Sequence, residues 1–292
     1  MNCTTSIQST VRRAAVAIIA SSIILVACAP IRSLATLFRQ TDHFVLFPDD
    51  NRIRIEPGAA HFAELISPHI AEAIKKVEAA HYAPFVSQPT IYVCATNEGY
   101  YRLTGQRAPA TVTNKLYLSP ELFQGQRPID RYLAHELSHL HLVQRLGLFG
   151  CLRLPEWFKE GLAELASNGA TGSSVVVCDA LRAIHGGHTF IPDEGRNVVS
   201  AVLFPRYGSY WHLENRMFYR QSMLFVEFMR AQNEGAFQGF LVDLAGGTEF
   251  KKALQDAYHG DIPMLWGSFL KNPEQSSFIN GLQADAEKAP RQ

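Results

Sequence analysis

The chain has 292 residues, with 27 Lys and Arg against 27 Asp and Glu, and 47% of its side chains are hydrophobic. That composition excludes a disordered or low-complexity chain, and no collagen or solenoid period runs through it. Zero formal net charge and the lack of a basic run exclude the concentrated positive footprint of a nucleic-acid binder.

Residues 1–13 hold no acid and end on Arg12 and Arg13, and 14–27 carry no charge at all. A membrane-spanning helix needs roughly 17–25 apolar residues, so this run fits the apolar core of a signal peptide. It closes on Leu25, Val26, Ala27 and Cys28, which resembles the lipobox of bacterial lipoproteins. The resemblance implies cleavage before Cys28 and acylation of its thiol and new amine. Several acyl chains then give a stable membrane anchor, where one binds reversibly. A plain secretory signal or a short signal-anchor is the alternative. Ala29, and not an Asp, follows Cys28, so the resemblance points to the outer membrane, facing the periplasm. Cleavage would leave 25 basic against 27 acidic side chains, and Cys94, Cys151 and Cys178. Three thiols in an oxidising compartment allow one disulfide, of which Cys151–Cys178 is one pairing.

Residues 28–42 read as a tether to a single domain over 43–271, followed by a tail over 272–292. Short strands are expected at 43–47 and 53–55 around a turn at 48–51. A helix over 58–82 places Phe62, Leu65, Ile66, Ile70, Ile74 and Val77 at helical spacing, with a kink at Pro68. Strands follow at 90–95 and 115–118, the second an edge strand against which an extended peptide could lie. Helices are expected at 130–146 and 155–167, joined by a loop around 147–154. A Gly-rich break at 169–172 precedes a helix at 175–184. Residues 185–212 read as loop, and helices return at 216–230, 234–245, 248–258 and 262–271. Strands first and helices later define an α+β fold.

The chemistry concentrates in His135, Glu136, Leu137, Ser138 and His139. On a helix, two His four residues apart lie on one face and can share one zinc ion. Glu136 beside them can take a proton from a water that the metal activates. Leu133, Leu137 and Leu140 mark a different side, suited to the core. His141 sits about 200° around the helix from His139 and is out of reach of the same metal. Downstream, Pro155, Glu156, Trp157, Phe158, Lys159, Glu160 and Gly161 open a second helix. Catalytic zinc keeps three protein ligands and an open position, and two His with a Glu is an established set.

Together these two segments resemble the gluzincin branch of the zincin metallopeptidases, especially its small peptidase MA-like domains. The resemblance covers roughly 43–271 and is most specific at 135–164. It implies a zincin-like α+β domain in which Glu160 is the third ligand of one zinc ion per chain. It implies that Glu164, one turn further, supports a ligand histidine from behind. It also implies an oxyanion donor on a C-terminal helix, for which Tyr219 is the candidate, with Tyr207, Tyr210 and His212 as substitutes. The metzincin pattern fails, because Leu142 and Arg145 stand where it needs Gly and a ligand. The Gly-x-Met-Glu-Asn segment of zinc aminopeptidases is missing, which favours an endopeptidase acting on a peptide or protein substrate. A zinc-containing envelope lipoprotein that binds a partner without cleaving it is the alternative, and the intact Glu136 argues against it. A metal-free structural lipoprotein is the third reading. Neither the substrate nor the oligomeric state is legible in the sequence.

Overall fold

The computed structural model describes residues 39–124, 127–195, 197 and 213–275. The signal segment, Cys28, most of the tether, the loop residues Tyr207, Tyr210 and His212, and the tail beyond 275 lie outside the described residues. No helix among the described residues is long and apolar enough to cross a membrane.

The domain mixes helices with a five-stranded sheet of order β1-β2-β3-β5-β4. Its strands are β1 (Val45–Leu46), β2 (Ile53–Ile55), β3 (Ile91–Val93), β4 (Ala110–Val112) and β5 (Leu116–Leu118). The three inner strands β2, β3 and β5 run parallel, and β1 and β4 pair antiparallel at the two edges. Parallel strands need covered faces and crossover connections. Helix α1 (Ala60–His81) supplies the first crossover and α2 (Asn97–Thr104) lies in the second. All five strands precede residue 119 and helices make up the rest, with α1 and α2 set between strands, so the fold is of the expected α+β class.

Alternation along the strands divides the two faces. Ile91, Val93, Leu116 and Leu118 turn toward α1, where Ala63, Ile66, Ile70, Ala73 and Val77 form the matching stripe. Tyr92 and Tyr117 turn the other way and pack with Phe44, Cys94, Tyr100 and Leu103. Helix α1 runs through Pro68 as one continuous element. Helix α2 and strand β4 had no expected counterpart in the sequence. The 115–118 run is not an edge strand. It pairs with β3 on one side and with β4 on the other, so the edge belongs to Ala110–Val112.

Helix α3 (Ile129–Arg153) joins the two halves of the molecule. Its Leu133, Ala134, Leu137 and Leu140 enter the sheet core, whereas Leu142 and Cys151 enter a second core made by the later helices. The expected loop around 147–154 is mostly helical. The axis breaks only at Gly147, with φ 69° and ψ 166°, a conformation that costs a side-chain-bearing residue. A turn at Leu154 and Pro155 then starts α4 (Glu156–Ser167). The rest is α5 (Val177–His185), α6 (Asn215–Gln232), α7 (Glu234–Ala245), α8 (Phe250–Tyr258) and α9 (Ile262–Lys271). Their core is rich in aromatic rings, with Trp157 packed on Phe225 and Phe158 on Phe240 and Phe250.

Candidate metal centre

The side of α3 away from the sheet core carries His135, Glu136 and His139 into a cleft between the two cores. One turn of helix brings the two imidazoles together, with Nε2 atoms 3.2 Å apart. Helix α4 packs across α3 and delivers Glu160, whose Oε2 lies 3.2 Å from His135 Nε2 and 3.5 Å from His139 Nε2. These three ligand atoms lie within 4.8 Å of one another and could hold a metal ion.

Two observations test whether the residues fit a metal. Bonds of about 2.0–2.1 Å in a tetrahedron give ligand–ligand edges of about 3.3–3.4 Å, close to the three separations found. Glu160 Oε2 is also buried and faces the two imidazole nitrogens without a well-aligned hydrogen bond to either, and a cation at the shared point would satisfy all three atoms. Both observations favour a fit.

Glu164 lies behind the ligands, fully buried. Its Oε1 stands 3.0 Å from His135 Nδ1, as expected of a carboxylate that fixes a ligand ring from behind. The backbone N–H groups of Thr171 and Gly172 donate to the same carboxylate at 2.8 and 2.9 Å. The glycine-containing break at 169–172 is thus a turn that folds the chain back over Glu164. Gly169, at φ 80°, lets it do so. Arg220 of α6 ties the turn down by donating to the carbonyls of Gly172 and Val175.

The charges follow from this packing. Burial opposes the charged form of His135, but the hydrogen bonds and charges of Glu160 and Glu164 outweigh it and raise its pKa well above 6.5. Burial likewise opposes ionisation of Glu160, and the charges and hydrogen bonds of His139 and His135 win, holding it well below the usual carboxylate range. Glu164 is held low against its burial by His135 and the two backbone donors.

Tyr219 on α6 reaches the same cleft, its ring 6.2 Å from that of His135 and nearly perpendicular to it. The negative charge of Glu160 first, and burial second, push its phenol far up, so it stays a proton donor. The cleft holds about 760 Å³ and is lined by Glu136, His139, Tyr132, Arg216 and the edge residues Ala110 and Val112, among others.

The structure therefore gathers His135, Glu136, His139, Glu160, Glu164 and Tyr219 in one place. His141 points away and bonds the Ala83 carbonyl at 2.9 Å. Cys94, Cys151 and Cys178 are all free, so the Cys151–Cys178 pairing is not made. Cys151 is buried in the helical core, whereas Cys178 is exposed. Neither Tyr132 nor the edge role of β4 in this cleft carries a signal in the sequence. No known family matches the chain, and no curated protein matches it. What the chain does must come from the chemistry of its own residues.

Proposed function

We propose that the chain is a zinc-dependent metallopeptidase, acting on internal peptide bonds and held in the bacterial envelope by lipid on Cys28. The convergence of His135, His139 and Glu160 on one point, with Glu136 beside them in an open cleft, carries this reading. It also fits a gluzincin-like arrangement of the fold. When bound, zinc would supply Lewis acidity, making a water more acidic and polarising a carbonyl.

The chain's own groups would do the rest. His135, His139 and Glu160 would hold the ion, and Glu164 would keep the His135 ring turned toward it. Glu136 would accept the proton of the attacking water and pass it to the leaving amine. The Tyr219 phenol would donate to the oxygen on which negative charge develops. An extended substrate would pair with the edge of β4, unpaired among the described residues, whose Ala110 and Val112 line the cleft, and side chains on alternate positions would face the walls.

The test is hydrolysis of a quenched-fluorescence peptide library by the zinc-loaded protein, with Glu136→Gln and chelator controls. Cleavage lost in both controls supports the reading. Full activity in Glu136→Gln would remove Glu136 as the base.

A further inference from the structure

Tyr132 stands one helical turn before Glu136 on α3, and both side chains line the cleft. Side chains on a helix lean toward its N-terminus, so a carboxylate at 136 leans back over the residue at 132. The Tyr132 ring also lies along His135, with centroids 6.4 Å apart and planes inclined by 22°. The ring therefore stands on the same side of the helix as His135. Arg127, on the cleft wall, is anchored by a bond to the Glu121 carbonyl.

We propose that Tyr132 is a positioning residue, whose hydroxyl donates to the Glu136 carboxylate and holds it facing the metal position. This rests on Glu136 being the base of the proposed hydrolysis. A glutamate has three rotatable side-chain bonds and would otherwise sample several orientations in an open cleft. Fixing it removes a conformational cost from every turnover. The phenol suits the task because it keeps its proton at neutral pH and can donate it to a carboxylate. Tyr219 and Tyr132 would then divide the work, the first donating to substrate and the second to the base.

The experiment uses the full-length zinc-loaded protein in detergent, labelled with carbon-13 at the glutamate side-chain carboxyl carbons. The Glu136 resonance is identified by its loss in Glu136→Gln. It should move in Tyr132→Phe and stay in Tyr258→Phe, a phenol that bonds the Met229 carbonyl away from the cleft. Peptide cleavage by Tyr132→Phe should show kcat lowered about tenfold or more with KM within about twofold. An unmoved Glu136 resonance in folded Tyr132→Phe overturns the proposal, as does a moved resonance with unchanged kcat. A lower melting temperature with the resonance unmoved means packing only and overturns it too. If the wild-type protein cleaves nothing, the peptidase reading falls and the positioning role falls with it. A moved resonance would then establish the hydrogen bond alone.

Discussion

The backbone of Gly161 runs so close to Ser222 that a Cβ at 161 would stand 2.5 Å from the Ser222 carbonyl oxygen. The contact sets the approach of α4 to α6, and so the distance between Glu160 and Tyr219. Alanine is the better helix former by about 1 kcal/mol, but the clash is with backbone and cannot be relieved by a rotamer change. Gly161→Ala should therefore destabilise the fold by about 1–3 kcal/mol. It should also lower kcat more than it weakens zinc binding, because Tyr219 moves while the three ligands stay. Denaturant unfolding beside zinc titration checks both.

Removing Glu164 should act on the metal through His135. Glu164→Gln keeps the shape but loses the charge, and Glu164→Ala also strands the N–H groups of Thr171 and Gly172. Zinc affinity should fall about 10–100-fold in either, with stability lost chiefly in the alanine variant. An unchanged affinity in Glu164→Ala, measured by competition with a chelator, would remove the supporting role.

The buried charges fix a pH dependence whose sign differs with and without metal. His135 has a raised pKa, so without metal its contribution is complete below pH 6.5 and is lost as pH rises through the folded value. Glu160 and Glu164 are lowered, so theirs is present above pH 4.5 and is lost on acidification. Metal-free protein should melt highest on the acid side of neutrality and lose stability at both ends. On the proposed zinc site the metal would take the place of a proton on His135, so the loaded protein should keep its stability into alkaline solution, and zinc affinity should weaken on acidification. Melting curves against pH, with zinc and with chelator, read this directly.

The thiols should divide by burial. Cys178 is exposed, whereas Cys94 and Cys151 are buried, and burial pushes the Cys151 thiol up to about 12. Alkylation of folded protein covering 29–292 should add one group quickly and two more only after unfolding. A mass showing an intact disulfide would contradict this.

The site was legible in the sequence where its geometry is local. His135 and His139 share a face because helices repeat every 3.6 residues, and Glu160 and Glu164 are linked in the same way on α4. The break at 169–172 could be seen as a break. That its N–H groups close on Glu164 depends on how α4 and α6 pack. Strand β4 is not legible because it is three residues long and follows Pro109, too short for alternation to show. That placed the free edge on the wrong strand. Helix α2 has only eight residues and few apolar ones, and Tyr132 looks like any helical tyrosine until the cleft is formed.

The most direct test is the zinc content of the purified 29–292 protein by elemental mass spectrometry, beside Glu160→Ala. Close to one zinc per chain, with most of it lost in the variant, is the result that a site made by His135, His139 and Glu160 predicts. No zinc in either protein after add-back, or equal zinc in both, would contradict it.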